Sequence, residues 1–279
     1  MIKSYSKLNL FLKVLKKTHN GLHNIQSSVM LLDLHDEINI KKINRNKDNI
    51  EFIGKFKKNI NKTTNTISKS LSLLRKHNLI DKKNKYNIIV NKKIPVFAGL
   101  GGGTSNAVFL IKYFLKEKIN EKLLTIFEKQ IGSDFRLFFY QHSFQKSLKE
   151  IIKFKKKFSF YFTLVYPNIN CSTKQVYSKV KKFNLPLKKN LLKIHSKNKY
   201  IQFIKDESND LQNIVERKHQ KIKKIIDLIK LQKNCLFSRM TGSGSVCFGV
   251  FLDKKSAKCA WRTIQKIFPN YWCIIAKSI

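Results

Sequence analysis

Four of the ten glycines in this 279-residue chain lie within five consecutive positions, Gly99 to Gly103. Thr104 and Ser105 follow directly, and the apolar residues after them have helical spacing. A strand, a glycine loop and a helix in this order can cradle phosphate, because glycine allows close backbone approach and the N–H groups at a helix N-terminus face an anion. An ordinary turn is the alternative, but reversing the chain does not require four glycines. The segment therefore favours phosphate binding.

Lys7 and Asn9 project side by side from one face of a predicted strand. Residues 6–14 alternate in character, and every second residue from Leu8 to Leu12 is a leucine on the opposite face. A strand lysine is usually solvated at a sheet edge, but Lys7 and Asn9 could also line a cleft. The local pattern leaves both interpretations open.

Asp134 is an acidic residue in a strongly basic chain. It follows Gly132, which ends a predicted helix, and it precedes an apolar, aromatic run at 135–140. Aspartate is favoured as a helix N-cap, and a carboxylate held at a cleft can also act as a general base. The spacing does not separate these two roles.

A second glycine stretch, Thr241-Gly242-Ser243-Gly244-Ser245, lies between two predicted strands. Glycine between strands marks either a hairpin turn or a place where the backbone approaches a ligand. Both interpretations are compatible with the sequence.

Hydrophobic periodicity predicts the elements that must position these residues. In the first half we expect strands at 6–14, 29–34, 38–40, 49–53 and 86–90, a turn at 35–37, and helices at 64–77, after the glycine loop and before Gly132. In the second half we expect a polar boundary at 141–157, strands at 158–166, 236–240, 246–251 and 272–276, a helix opened by Ser172 and Thr173, a loose segment at 184–205, and helices at 209–229 and 257–267. The second half therefore has the order β-α-α-β-β-α-β and is of the α+β class.

The net charge of +40 first suggests a protein that binds nucleic acid or an anionic membrane. However, only six of the 57 basic residues are arginine, the side chain best suited to bidentate phosphate and base contacts. Lysine, asparagine and isoleucine are abundant throughout the chain, as expected from a coding bias. We therefore predict no specific nucleic-acid partner and no membrane partner.

The five cysteines form neither a C-x-x-C pair nor a spacing typical of metal sites, so no metal ligands are predicted. Unpaired thiols suit a reducing compartment. The first residues lack the apolar segment of a signal peptide, and no run is apolar for the roughly twenty residues that span a bilayer. These features predict a cytoplasmic protein.

Three stretches, in order, resemble the motifs of the GHMP small-molecule kinases: Ser6–Leu10, Pro95–Ser105 and Met240–Gly244. The similarity extends from about residue 4 to residue 277. It implies an α+β fold of two domains, a ribosomal protein S5 domain 2-like N-terminal domain over residues 1–157 and a ferredoxin-like C-terminal domain over residues 158–279. The first of these would bind ATP.

Within the family, the chain is most similar to the branch that acts on 4-diphosphocytidyl-2-C-methyl-D-erythritol. The implied reaction transfers the γ-phosphate of ATP, with Mg²⁺, to the 2-hydroxyl of that substrate, in the non-mevalonate route to isopentenyl diphosphate. The alternative is a kinase of the homoserine or mevalonate type. The resemblance implies that this chain has two small-molecule partners, ATP and 4-diphosphocytidyl-2-C-methyl-D-erythritol. It also implies that the chain acts as a monomer or homodimer.

The resemblance also assigns roles to individual residues. Lys7 and Asp134 are implied to be the catalytic pair. The implied ATP-binding residues are Pro95, Val96, Phe97, Ala98, Gly99, Leu100, Gly101, Gly102, Gly103, Thr104 and Ser105. The implied substrate-binding residues are Asn9, His23, Thr173 and Tyr177, of which His23 has the local pattern of a surface residue and is implied to read the cytosine.

At three places the chain departs from the family pattern. Leu22 stands where the family usually has an aromatic residue that stacks on cytosine, and Arg136 stands where it has a proline. A glycine-rich segment that contacts substrate is replaced at residues 147–150.

Overall fold

The computed structural model of the protein describes residues 1–19, 21–116, 119–188 and 190–279. The chain forms two compact units, each of which is built from three separate segments of the sequence. Unit 1 comprises Met1–Ser6, Leu34–Val96 and Gly101–Phe139. Unit 2 comprises Lys7–Asp33, Phe97–Leu100 and Tyr140–Ile279.

In chain order, the strands are β1 (Ile2–Asn9), β2 (Lys13–Lys17), β3 (His23–Ile43), β4 (Asn49–Ile53), β5 (Lys85–Asn91), β6 (His142–Gln145), β7 (Ile151–Lys153), β8 (Tyr161–Tyr166), β9 (Phe237–Met240), β10 (Cys247–Phe251) and β11 (Trp272–Lys277). The α-helices are α1 (Thr66–Lys76), α2 (Gly102–Leu115), α3 (Glu121–Ile131), α4 (Thr173–Tyr177), α5 (Lys197–Asp206), α6 (Gln212–Lys218), α7 (Gln220–Lys230) and α8 (Lys254–Ile267). Short 3-10 helices cover Phe135–Phe139 and Leu191–Lys193.

Unit 1 holds the segments that lead into and out of the glycine loop. β5 pairs antiparallel with residues 37–43 of β3 and parallel with β4. α1 begins with a capping box, in which the side chains of Asn65 and Ser68 each accept a hydrogen bond from the other residue's backbone N–H. These elements and α2 share one core cluster of Ile38, Ile67, Leu71, Tyr86, Ile88, Val90 and Leu110.

Unit 2 contains a four-stranded antiparallel sheet in the order β11-β8-β10-β9. α7 contributes four buried isoleucines to a core that also includes Val165 of β8 and Ile264 of α8. Among the described residues, the α-helices α4 to α7 lie between β8 and β9, and α8 lies between β10 and β11. The strands therefore have the order of a ferredoxin-like unit, with additional helices between its first two strands. In the same unit, β2 and β6 pair antiparallel with residues 23–30 of β3, and β7 pairs with β6.

Two predictions about the N-terminal strands are wrong. The strand predicted at 6–14 ends at Asn9, and β2 starts only at Lys13. The turn predicted at 35–37 is absent, because β3 continues without interruption from His23 to Ile43. The polar residues that suggested a turn include Asp36, which is fully buried and whose carboxylate accepts hydrogen bonds from two backbone N–H groups of unit 1.

Other elements also differ from the prediction. The segment predicted to be loose at 184–205 contains α5, which buries an apolar face among otherwise polar residues. The single helix predicted over 209–229 is two helices, because His219 takes a non-helical conformation with φ −136° and ψ 80°. The predicted boundary at 141–157 contains β6 and β7. Among the described residues, no helix combines the length and the apolar character needed to cross a bilayer.

Candidate active site

Lys7 and Asn9 form a buried polar pair at the end of β1. Lys7 is 5% exposed and Asn9 is 3% exposed, so neither is solvated at a sheet edge. The Lys7 ammonium donates to Asn9 Oδ1. Asn9 Nδ2 donates to Ser27 Oγ at 2.8 Å, and Ser27 Oγ donates to the Phe11 carbonyl at 2.6 Å. These bonds hold the lysine and the asparagine in one orientation.

The second glycine stretch lies directly against this pair, within unit 2. The backbone N–H of Asn9 donates to Thr241 Oγ1 at 2.9 Å. A Cβ atom at Gly242 would lie 3.3 Å from both Lys7 Nζ and Asn9 Oδ1, and the φ of Gly242 is +55°. Glycine is therefore favoured here on two grounds, a left-handed backbone and the small space left beside the lysine ammonium. The stretch connects β9 to β10 and also forms a wall beside Lys7.

Asn209 holds the same glycine stretch from the other side. Its Nδ2 donates to the carbonyls of Met240 and Gly242 at 2.7 and 2.9 Å, and its Oδ1 accepts from Leu211 N at 3.0 Å. The side chain is 5% exposed, so water does not compete for these bonds. Asn209 lies at the start of the helix predicted over 209–229, and the sequence gives no sign that its amide positions Gly242.

Part of the first glycine loop, residues 97–100, also belongs to unit 2. The Leu100 carbonyl accepts a hydrogen bond from the backbone N–H of Lys7 at 3.0 Å. Gly99 has a φ of +80°, and a Cβ atom there would lie only 2.3 Å from the Thr241 carbonyl oxygen. The two glycine segments thus approach each other more closely than any side chain would allow.

The rest of the loop, together with Pro95 and Val96, belongs to unit 1. Gly101 takes the left-handed conformation, φ 68° and ψ 19°, and forms the N-cap of α2 without a side chain to satisfy the helix N–H groups. The first N–H groups of a helix have no partner within the helix, and the helix dipole makes this end favourable for an anion. The start of α2 therefore has the backbone geometry of a phosphate site.

The two hydroxyl residues that follow have different surroundings, both in unit 1. Ser105 is fully buried, and its hydroxyl bonds to Ser4 Oγ at 2.7 Å and to the Tyr5 carbonyl at 2.5 Å. Thr104 is half-buried, and its Oγ1 lies 3.6 Å from the Cβ position of Gly132. The structure thus gives Ser105 a structural role, and its predicted contact with ATP stays a prediction.

Asp134 is half-buried and lies immediately before the 3-10 helix Phe135–Phe139. Its carbonyl accepts from Leu137 N at 3.1 Å, and the Gly132 carbonyl accepts from Phe135 N at 3.0 Å. Gly132 ends α3 with a φ of +150° and a ψ of 156°, and the turn at residues 133–134 follows it. The contact between Thr104 and Gly132 brings this turn close to the start of α2, within unit 1.

Arg136, which replaces a proline of the family pattern, forms hydrogen bonds with side chains of α3. It donates to Glu128 at 2.9 Å and to Glu121 at 2.7 Å, both on α3. Burial alone would lower the pKa of Arg136, but these two hydrogen-bonded carboxylates raise it above its ordinary value. The substitution therefore ties the Asp134 turn to α3 through charged hydrogen bonds.

The predicted substrate residues His23, Thr173 and Tyr177 all lie in unit 2. The rings of His23 and Tyr177 have their centroids 5.1 Å apart and are inclined by 35°. Partial burial and the nearby charge of Lys17 lower the pKa of His23, which favours the neutral ring. The Thr173 hydroxyl bonds to Ser243 Oγ at 3.0 Å, which links this residue to the second glycine stretch.

The predicted site residues are thus divided between the two units. Unit 2 brings together Lys7, Asn9, the second glycine stretch and residues 97–100, whereas Asp134 and the start of α2 lie in unit 1. The catalytic pairing of Lys7 with Asp134 stays a prediction.

Two family models match segments of this chain. Residues 65–134 match the GHMP kinases N terminal domain, and residues 187–270 match the GHMP kinases C terminal domain. A protein of Pelagibacter ubique (strain HTCC1062), named 4-diphosphocytidyl-2-C-methyl-D-erythritol kinase, is 39% identical over 100% of this chain and 98% of its own length. The chain belongs to the GHMP kinase family.

Two further relatives of this GHMP kinase carry the same name. The protein of Wolbachia pipientis wMel is 33% identical over 97% of this chain and 96% of its own length. The protein of Buchnera aphidicola subsp. Schizaphis graminum (strain Sg) is 34% identical over 99% of this chain and 92% of its own length.

Solved structures of GHMP kinases share the fold. A crystal structure of 4-(cytidine 5'-diphospho)-2C-methyl-D-erythritol kinase superposes with a TM-score of 0.74 at 20% identity, over 98% of both chains. A homoserine kinase from Cytophaga hutchinsonii superposes with a TM-score of 0.72 at 17% identity, over 100% of this chain and 94% of its own. The predicted fold class, a two-domain α+β GHMP kinase, is confirmed, and so is the prediction that the protein is a kinase.

The sequence did not reveal a buried polar network behind the start of α2 in this GHMP kinase. Lys92 is 1% exposed and forms an ion pair with Asp36, and its ammonium also donates to Asn106 Oδ1 at 2.9 Å. Asn106 Nδ2 donates in turn to Ser4 Oγ at 2.9 Å. A Cβ atom at Gly102 would lie 3.4 Å from Lys92 Nζ, so the network directly supports the first turn of the helix.

Proposed function

We propose that this kinase transfers the γ-phosphoryl group of ATP to the 2-hydroxyl of 4-diphosphocytidyl-2-C-methyl-D-erythritol, giving the 2-phosphate and ADP. The reaction would be a step of the non-mevalonate route to isopentenyl diphosphate. The observation that carries the proposal is that relatives 33–39% identical over nearly the whole chain all bear the name of this activity. The buried, oriented lysine beside two glycine segments supports it.

We propose Lys7 and Asp134 as the catalytic pair. As the 2-hydroxyl oxygen bonds to the γ-phosphorus and the bond from phosphorus to the ADP oxygen breaks, the hydroxyl proton passes to the Asp134 carboxylate. The Lys7 ammonium offsets the charge on the phosphoryl oxygens, and its bond to Asn9 fixes its direction. Positioning and electrostatics of this kind account for most of the catalysis in phosphoryl transfer.

The phosphates of ATP would lie over the glycine loop and the start of α2. The support for this is the left-handed Gly101, the N–H groups of the first helical turn and the half-buried Thr104 hydroxyl. Gly99 and Gly242 leave the neighbouring backbone without side chains. Asn9, His23, Thr173 and Tyr177 would contact the second substrate.

We propose that Mg²⁺ enters with ATP rather than occupying a site built by the protein. Within the described residues no three His, Cys, Asp or Glu side chains gather as a ligand set, and the Ser105 hydroxyl is used internally. Thr104 is the hydroxyl that fits a role as ligand, since a nucleotide-bound Mg²⁺ takes most of its ligands from phosphates and water. The ion would neutralise phosphate charge during transfer.

We propose that the protein acts in the cytoplasm. All five cysteines are among the described residues, and none of them forms a disulfide there. This state suits a reducing environment. A monomer or a homodimer is the assembly that the resemblance implies.

The test is a kinase assay with purified protein, ATP, Mg²⁺ and 4-diphosphocytidyl-2-C-methyl-D-erythritol. The release of ADP measures the rate, and the phosphorus NMR spectrum identifies the product. We expect Asp134→Asn and Lys7→Met each to lower kcat by at least about 100-fold. Asp227→Asn and Lys230→Met, two exposed changes of the same kind near the end of α7, should leave kcat unchanged.

The alternative substrates belong in the same experiment. Homoserine and mevalonate should give no ADP above background. Turnover of either compound at a higher kcat/KM than the cytidine compound would overturn the proposal, as would wild-type protein that binds ATP and phosphorylates none of the three.

A further inference from the structure

Two aromatic rings, those of Tyr177 and Phe183, lie near the ring of His23 in unit 2. Phe183 is 47% exposed, and its ring centroid lies 6.2 Å from that of His23 with the planes inclined by 33°. The ring centroid of Tyr177 lies 5.1 Å from that of His23. Leu22, the residue before His23, is also 47% exposed. We call Leu22, His23, Tyr177 and Phe183 the aromatic cluster.

The backbone around Phe183 is fixed by hydrogen bonds to neighbouring elements, although it lies outside regular secondary structure. The next residue, Asn184, donates its backbone N–H to the Val14 carbonyl of β2 at 2.8 Å. The Asn184 side chain donates to Asp210 Oδ2 at 2.7 Å, and the same carboxylate oxygen accepts from Val14 N at 2.7 Å. Phe183 is thus held beside β2 and the start of β3, where His23 lies.

A ring that served only the core would be buried, as Phe11, Phe160 and Phe162 of this unit are. Phe183 instead keeps about half of its surface open while its position is fixed. An exposed aromatic face costs stability in water and gains free energy when a planar base covers it. The ring of His23, whose centroid lies 6.2 Å from that of Phe183, adds a second aromatic face.

We propose that Phe183 is a base-stacking residue for the pyrimidine of the substrate and thereby a determinant of substrate specificity. It would supply an aromatic face that Leu22 cannot offer, while Leu22 and Tyr177 make apolar and aromatic contacts around the same base. The inference rests on the proposed function, because it assumes that the substrate carries a cytidine group.

The test compares Phe183→Ala with Phe183→Tyr, which keeps the ring. Alanine should raise KM for 4-diphosphocytidyl-2-C-methyl-D-erythritol about tenfold and leave kcat and KM for ATP within about twofold, since stacking on a base contributes to binding and not to the chemical step. Tyrosine should restore KM to within about twofold of wild type. Leu231→Ala, which removes an 80% exposed apolar side chain outside the aromatic cluster, is the matched control and should change nothing.

A rescue variant separates stacking from local folding. In the Phe183→Ala background, Leu22→Tyr places a ring next to His23 and should recover part of the lost affinity. Direct titration with cytidine 5'-diphosphate by calorimetry gives the same comparison without catalysis. There we expect weaker binding by Phe183→Ala and wild-type binding by Phe183→Tyr.

The outcomes distinguish this inference from the proposed function. If wild type phosphorylates the cytidine compound and Phe183→Ala keeps the wild-type KM, the role of Phe183 is overturned and the function stands. If wild type does not turn over the compound but binds cytidine 5'-diphosphate in a Phe183-dependent way, the function falls and the stacking role stands. If it neither turns over the compound nor binds the nucleotide, both are overturned.

Discussion

At the scale of single residues, the glycines decide how closely the parts of the site approach one another. Gly99 and Gly242 have positive φ values and lie where a Cβ atom would meet Thr241 or the Lys7 ammonium. Gly103 has neither constraint, since its nearest neighbour would be the Thr66 side chain at 3.8 Å. Two glycines of the same loop, Gly99 and Gly103, therefore differ in whether the structure tolerates a side chain.

This difference gives a prediction for two matched substitutions. Gly99→Ala should lower the free energy of unfolding by about 2–3 kcal/mol, because the methyl group would lie 2.3 Å from a backbone oxygen and alanine disfavours a φ of +80°. Gly103→Ala should raise it by about 0.5–1 kcal/mol, because alanine is the better helix former. Urea denaturation of both variants measures the contrast.

A further measurement on Gly103→Ala reports on ATP. If the phosphates approach the first turn of α2 as proposed, the added methyl group should raise KM for ATP without lowering stability. Equal stability losses in the two variants would show that the contact at Gly99 is not the constraint described.

At the scale of elements, buried polar groups fix how strands and helices join. In unit 1, burial lowers the pKa of Lys92, and its ion pair with Asp36 opposes that shift. In unit 2, His142 of β6 bonds through Nε2 to Tyr200 of α5 at 2.8 Å and to Ser28 of β3 at 3.2 Å. Each group joins elements that are distant in sequence, and removing one member would break buried hydrogen bonds between them.

His142 gives a prediction for the pH dependence of stability. Burial lowers the pKa of His142 from 6.5 to about 3, so the folded ring stays neutral where the unfolded ring takes up a proton. The unfolded state then binds more protons below pH 6.5, and the free energy of unfolding decreases as the pH falls. Between about pH 7.5 and pH 5 the loss due to this residue should be about 2 kcal/mol.

The control is His142→Gln, which keeps a polar side chain and cannot take up the proton. Denaturant unfolding of both proteins across this pH range should show a shallower loss for the variant, and the difference between the curves isolates His142. Parallel curves for the two proteins would contradict the assignment.

At the scale of the whole molecule, the net charge of +40 acts on stability and association. Lysines repel one another over distances longer than any single contact, and this repulsion disfavours a compact state. The charge does not define the fold, because net charge governs solubility and association rather than the arrangement of helices and strands. Nor does it identify a nucleic-acid partner, since so few of the basic residues are arginine.

We therefore expect the thermal midpoint to rise with ionic strength. Between about 10 mM and 150 mM potassium chloride, the Debye length falls from about 30 Å to about 8 Å, which screens most of the repulsion. Circular dichroism melts at constant pH measure the change. A variant with Lys41, Lys42 and Lys47, all exposed, changed to glutamine should show a smaller rise, and an equal rise would remove self-repulsion as the cause.

Much of the fold was predictable because periodicity reports which face of an element is buried. The helix predicted at 64–77 is α1, the strand predicted at 49–53 is β4, and the helix after the glycine loop is α2. The errors lie where tertiary contacts override local signals. Asp36 looks like a turn residue and is a fully buried ion-pair partner, and α5 was missed because its apolar face is short and surrounded by lysine.

By itself, the sequence determined the family and the residue types of the site, because three motifs in fixed order carry chemistry that few other arrangements require. It could not decide whether Lys7 is solvated or buried, since a strand pattern does not say what covers each face. The tertiary structure decided this by placing Gly242 and Asn9 against the ammonium. It also placed Phe183 beside His23, a contact between residues 160 positions apart that no local pattern specifies.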